Sequence, residues 1–197
     1  MQTTPTPSTS TGAGATSADR PSERYYQLER LSMRELEKVF QRGTTPDLDA
    51  LAGWEFRGTN TPDFTKVLGI KKFIKGFFRR DGELWGYNTP VAQNGIHAPW
   101  IARPSETAPK RFGFYRVAPV DPSSRDNHYL HSVLLDYGLG DNPRTDPSQF
   151  LRDYVIQVDP DNRDLYLGKA YVAAGPLRVP TSFFIIERFH KGIDEIR

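Results

Sequence analysis

Cysteine is absent from all 197 residues. That excludes disulfides, thiolate catalysis and cysteine-held zinc or iron–sulfur centres together, and it fits a reducing compartment. Long apolar runs are missing too: nothing approaches the roughly 18 consecutive apolar residues of a membrane-spanning helix. Residues 1–22 contain no Leu, Ile, Val or Phe from which the apolar stretch of a secretory leader is built. Together these lacks set the expectation of a cytoplasmic protein without a membrane span. Charge of one sign is scarce as well. A net charge of +2 and an isoelectric point near 8.8 are too mild to imply nucleic acid from the overall balance. No phosphate-cradling glycine loop, nucleophile elbow or H-E-x-x-H zinc helix occurs, so no cofactor is implied.

Apolar residues make up a lean 37%, yet aromatic residues reach 12%. Rings therefore carry more of the core than aliphatic side chains, a composition that favours strands. Residues 1–22 are rich in Thr, Ser, Pro, Gly and Ala and read as a disordered tail. Residues 23–50 read as a lead-in helix and linker, and 51–197 as one barrel domain of ordinary size. The helix is expected over Met33–Arg42. Ser32 and Glu35 form a capping box, Leu31 and Leu36 sit at the staple positions, and Gly43 follows the last turn.

From Leu51 the apolar period changes from about 3.6 to two, as Trp54, Glu55, Phe56 and Arg57 alternate along a first strand. Thr61-Pro62-Asp63 then reads as the start of a brief helical turn ended by Gly69. The clearest hairpin follows, with strands over 73–80 and 83–87 joined at Asp81-Gly82. In that register Arg80 faces Glu83, Phe78 faces Trp85, Phe77 faces Gly86 and Tyr87 faces Gly76, so rings lie across from glycines. A proline-punctuated loop over 88–110, carrying Trp100, reads as a mouth or lid. Further strands are expected near 111–117, 129–137, 150–158, 165–173 and 182–190. About eight strands in sequential hairpins argue for a mainly β protein built as an antiparallel up-and-down barrel.

The order of these motifs resembles the lipocalin and calycin barrels. In that superfamily a short helix leads into a first strand marked G-x-W, a T-D-Y motif lies late in the barrel, and an Arg on the final strand packs over the Trp. Here a helix precedes Gly53-Trp54, Arg152-Asp153-Tyr154 lies late, and Arg188 closes the run 183–188. The spacer in G-x-W is missing, and Arg152 stands where the family has Thr. The resemblance implies that Arg188 stacks on Trp54 and closes one end of the barrel.

Candidate chemistry is sparse. Of His97, His128, His131 and His190, only His128 and His131 are close, and a spacing of three on a strand sends them to opposite faces, which argues against a shared metal. Asp136, Asp153 and Glu187, each within an apolar strand run, are the candidate acids or bases. The cluster Lys66, Lys71, Lys72, Lys75, Arg79 and Arg80, interleaved with Phe73, Phe77 and Phe78, is the one local basic patch. It reads either as a single-stranded nucleic-acid surface or as an amphipathic strand with Phe inside and Lys outside. The aromatic excess instead favours a small hydrophobic molecule held inside the barrel. Phe56, Ile74, Phe78, Trp85, Tyr87, Phe114, Tyr129 and Tyr154 are the expected lining, with Arg116 or Lys75 placed to pair an acidic head group. An isomerase- or cyclase-type enzyme in the same cavity is the second reading, and nucleic acid the third.

Overall fold

The structure is a computed structural model that describes residues 20–61 and 69–195. Most of the tail expected over 1–22, the helical turn expected after Thr61 and Lys66 therefore lie outside the described residues. Three short helices, α1 (Glu23–Glu29), α2 (Met33–Arg42) and α3 (Leu48–Leu51), precede eight strands. These are β1 (Trp54–Asn60), β2 (Lys72–Arg80), β3 (Glu83–Pro90), β4 (Phe112–Pro119), β5 (Val133–Asp136), β6 (Leu151–Gln157), β7 (Leu165–Ala174) and β8 (Leu177–Lys191). Each strand pairs antiparallel with the next, and β8 returns to β1, so the sheet closes into an up-and-down barrel with no free edge.

The β2–β3 hairpin has the expected register, with Arg80 opposite Glu83 and Gly76 opposite Tyr87. Asp81 and Gly82 both take positive φ, 52° and 79°, as the two-residue turn requires. A Cβ on Gly76 would lie 2.2 Å from the Tyr87 ring, so that ring occupies space only glycine leaves. At α2 the capping box between Ser32 and Glu35 is present in both directions. Two helices flank it. α1 is capped by Ser22, and α3 starts at Asp47, whose side chain accepts from the Asp49 amide.

One end of the barrel is sealed. The Arg188 guanidinium lies 4.4 Å from the Trp54 ring centre and Lys191 Nζ lies 4.1 Å from it. Leu48, Leu51 and Ala52 of the α3 segment pack beneath. Arg188 is held in place by the carbonyls of Ala50 and Arg163, at 2.9 and 3.1 Å. Above this closure Phe56, Phe77, Leu84, Tyr115, Val117 and Tyr166 fill the lumen ring against ring.

The outer wall is also apolar over much of its area. Tyr25, Leu28, Leu36 and Phe40 of α1 and α2 cover Tyr154, Ile156, Leu165, Leu167, Phe183 and Ile185 on β6–β8. Those strands are therefore buried on both faces, which is why 183–186 reads as a continuous apolar run. A buried ion pair, Arg57–Glu187 at 2.8 Å, ties this layer down, since Glu187 also accepts from the Ser22 amide at 3.1 Å. The loop expected to form a lid lies elsewhere. Val91 and Trp100 pack on Ile74 and Phe189 of the outer wall, and Trp100 Nε1 donates to the Gly58 carbonyl at 3.2 Å.

Candidate functional site

The inward positions change character along the barrel. In the sealed half they are large rings and branched aliphatics, whereas toward the opposite end Phe73, Phe184 and Leu151 alternate with Asn60, Asn88, Ala170 and Ser182. Small and polar side chains leave the lumen unfilled there. The result is a cavity of about 190 Å³ at the open end, walled by Phe73, Phe112, Phe184, Leu151, Ile70 and Ala170.

Its polar part is a cluster drawn from six elements. Lys75 sits in mid-β2 between inward-facing Phe73 and Phe77, directly opposite Asn88 of β3. Asp153 sits in β6 between Leu151 and Val155. Tyr137 opens the 3-10 turn after β5, where the Asp136 carboxylate caps the Gly138 and Leu139 amides. Ser148 lies in a second 3-10 turn ahead of β6, and Ser182 begins the inward face of β8. Lys75 Nζ donates to the Tyr137 hydroxyl at 2.5 Å, Asn88 Oδ1 at 3.0 Å and Asp153 Oδ2 at 3.2 Å. The Tyr137 hydroxyl donates in turn to Asp153 Oδ2 at 3.1 Å. Asn88 Nδ2 is anchored on the Gly113 carbonyl at 3.0 Å.

This ion pair is dry: the Lys75 and Asp153 side chains are 4% and 5% exposed. Rings of Tyr115, Phe184, Tyr137 and Phe73 surround Nζ at 4.8 to 5.7 Å. Burial pushes the Lys75 ammonium below its ordinary range, and Asp153 pulls it partly back. Burial likewise pushes the Asp153 carboxyl up, with Lys75 and Tyr137 opposing. Desolvation, reinforced by the Asp153 charge, holds the Tyr137 hydroxyl well above its usual value. Desolvation thus works against the charged form of each member while their mutual contact favours it.

Of the residues expected to line the cavity, Phe56 faces the lumen, within its packed half. The other aromatic and aliphatic candidates lie outside it. Ile74 packs on Trp100, and Phe78 lies beside Tyr87 with ring centres 5.9 Å apart. The Tyr87 hydroxyl donates to Glu55 at 2.6 Å, and Phe114 lies 6.3 Å from the Tyr87 ring. Trp85 lies under the Arg80 and Arg116 guanidinium groups, and Arg116 pairs with Glu83 on the surface. Tyr129, in the loop before β5, bonds the Tyr171 hydroxyl at 2.6 Å, and Tyr154 packs beneath the helices. Lys75, the alternative head-group partner, does line the cavity, but with a carboxylate of its own. Among the three candidate bases only Asp153 lines it; Asp136 is spent on its cap and Glu187 on Arg57.

The basic run is dispersed. Lys71 pairs with Glu29, Arg79 with Asp49 and Arg80 with Asp141, while Phe73, Phe77 and Phe78 are buried. The amphipathic alternative to a nucleic-acid surface fits this arrangement. The histidines are scattered too: His128 stacks on Tyr171, and His131 Nε2 lies 3.1 Å from the Phe40 carbonyl. Among the described residues no group of three or more His, Asp or Glu is placed to hold a metal. No protein-family model, curated protein or solved structure matches the chain.

Proposed function

We propose that this chain is a small-molecule binding protein, a barrel of lipocalin or calycin type that holds a compact, mostly apolar ligand in the open half of its lumen. One observation carries the reading: an apolar cavity ends on a buried Lys75–Asp153–Tyr137 cluster instead of on further packing. A buried ion pair contributes little to stability compared with apolar residues of equal volume, so its presence at the end of a cavity calls for another role. The volume sets the ligand size. At about 190 Å³ the cavity is slightly larger than the ~150 Å³ that takes one benzene, and below the ~300–1,000 Å³ of drug-sized sites. A single ring with a short substituent fits.

Saturation-transfer NMR with single-ring compounds tests this, using Ala170→Phe as the control, because Ala170 lies on the cavity wall and a larger side chain there occupies the space. Binding by the native chain and not by a folded Ala170→Phe variant is the expected result. Equal signals from both would place the ligand elsewhere. A second reading, a proton-transfer enzyme of isomerase or cyclase type, is favoured by Asp153, a carboxyl raised by burial and placed on the cavity wall. It requires that bound ligand exchange a carbon-bound proton for deuterium in D2O, and that Asp153→Asn abolish the exchange.

A further inference from the structure

Resting on the reading of this cavity as a binding site, we infer that its ligand is neutral and carries a hydrogen-bond donor, an alcohol, phenol or primary amide, directed at Asp153 Oδ1. The inference follows from counting donors and acceptors. An ammonium has three N–H bonds, and those of Lys75 go to Tyr137, Asn88 and Asp153. Nothing is left on Nζ for a ligand carboxylate. The Tyr137 hydroxyl is equally spent, since its one proton goes to Asp153 Oδ2 and its oxygen accepts from Lys75 and from Asn88 Nδ2 at 3.3 Å. The Asn88 amide gives its remaining donor to Gly113.

What remains is specific. Asp153 Oδ1, Ser182 Oγ and Ser148 Oγ are buried and have no hydrogen-bond partner, and all three residues line the cavity. Asp153 is 4% exposed and Ser182 3%. Lys75 Nζ and the Tyr137 hydroxyl both donate to Oδ2, so Oδ1 is the carboxylate oxygen left without a donor. Buried acceptors without donors are costly, and a ligand that supplies the donor relieves that cost. The serine hydroxyls can donate as well as accept, so a carbonyl or second hydroxyl on the ligand also finds partners.

Charge excludes the alternatives. A carboxylate brings no proton and faces the lone pairs of Asp153 with the Lys75 ammonium already saturated. An ammonium would enter an apolar cavity whose one carboxylate is already neutralised, with nothing to replace its hydration. The expectation of an acidic head group, made from Lys75 and Arg116 in the sequence, is thereby reversed: Lys75 carries its own counter-ion, and Arg116 is on the outer wall paired with Glu83.

Four probes of matched size separate the possibilities: toluene, benzyl alcohol, benzoate and benzylammonium, titrated at pH 7 by competition NMR. Benzyl alcohol is expected to bind at least about tenfold tighter than toluene, the factor corresponding to one satisfied buried acceptor, with both ions weaker than toluene. In a Lys75→Met/Asp153→Leu variant, checked for folding by its melting curve, the alcohol preference should vanish while toluene still binds. Ser182→Ala should narrow the preference without removing it. Toluene binding as tightly as benzyl alcohol, or either ion binding tightest, would overturn the donor assignment and leave the cavity as a binding site. Failure of all four probes to bind would overturn the binding reading itself.

Discussion

Replacing Lys75 by Met leaves the Asp153 side chain buried, 5% exposed, with the Tyr137 hydroxyl as its one remaining donor. Breaking a buried pair in this way typically costs ~3–5 kcal/mol, because the surviving charge keeps its desolvation penalty and loses its compensation. In a domain of this size each kcal/mol moves the melting temperature by roughly 2–4 °C, so a drop of about 6–20 °C is expected at pH 8. The carboxyl has a way out. Burial already holds its pKa above the ordinary range, so in the variant it takes up a proton as the pH falls. The penalty of Lys75→Met is therefore expected to be smaller at pH 5 than at pH 8. Removing both charges as Lys75→Met/Asp153→Leu eliminates the orphan and should return the stability to within about 1 kcal/mol of the native chain, or above it. Urea unfolding followed by the fluorescence of Trp54, Trp85 and Trp100 measures the native chain, both single variants Lys75→Met and Asp153→Leu, and the double variant at both pH values, and the double-mutant cycle gives the coupling directly. A Lys75→Met cost below about 1 kcal/mol at pH 8 would refute the claim that the pair is desolvated, since only a solvated pair is that cheap to break.

Two further outcomes follow from the ends and walls of the barrel. Trp54→Ala removes the half-buried ring beneath Arg188 and Lys191, and it should cost near the lower edge of the ~3–5 kcal/mol seen for buried Trp→Ala changes; unfolding calorimetry checks it, and unchanged stability would remove the closure role, with ligand affinity expected to be unaffected because the cavity is at the other end. Lys72 is buried among the carbonyls of Gly95, Ala98 and Pro99 and over the Trp100 ring, without a carboxylate among the described residues, and burial lowers its pKa to about 8. The folded chain therefore releases this proton before the unfolded chain does, the unfolded state binds more protons between about pH 8 and 10.5, and this group's contribution to stability rises with pH across that window; the melting temperature of the native chain relative to Lys72→Met should increase from pH 7.5 to 10, and a flat difference would contradict the burial of the charge.

Much of the frame was legible because its determinants are local. The Asp-Gly turn, the opposed Arg80 and Glu83, and rings facing Gly76 and Gly86 fix one hairpin register, and the capping box fixes the start of α2. Of the site, Lys75 and Asp153 stood out as charged residues within apolar strand runs, but the apolar lining was not legible, and the reason is the two-sided burial of the strands. On β2 the inward set is Phe73, Lys75 and Phe77 while the outward set is Ile74, Gly76 and Phe78, so both faces carry rings and periodicity alone does not say which is inside. A choice of the outward set carries Trp85, Tyr87, Phe114 and Arg116 out with it, because the register is rigid and a slip of one residue exchanges the faces. The outward face is apolar because the 91–110 loop covers Ile74, just as α1 and α2 cover Tyr154. Glycine placement does not break the tie, because a ring covers a glycine on each face: Tyr87 over Gly76 outside and Tyr115 over Gly86 in the lumen, each 2.2 Å from where a Cβ would be.

The contrast between the two halves of the lumen bears on why the cavity exists. In the sealed half the chain fills the barrel with Phe56, Phe77, Tyr115 and Tyr166, so rings of the right size at inward positions are fully compatible with this fold. At the open end the same strands carry Asn60 on β1, Asn88 on β3, Ala170 on β7 and Ser182 on β8, set among Phe73, Leu151 and Phe184. Larger apolar residues at several of those positions would extend the packing upward and dispense with an ion pair that burial makes costly. Instead the small residues meet Lys75 and Asp153 among the rings of Phe73, Tyr115, Tyr137 and Phe184. On the proposed reading, a lumen that stays open next to a saturated lysine and a half-saturated carboxylate is organised around buried polar atoms without partners, Asp153 Oδ1, Ser148 Oγ and Ser182 Oγ. Those atoms are what the proposed donor-selective site has and a packing defect, lined by apolar atoms alone, would lack.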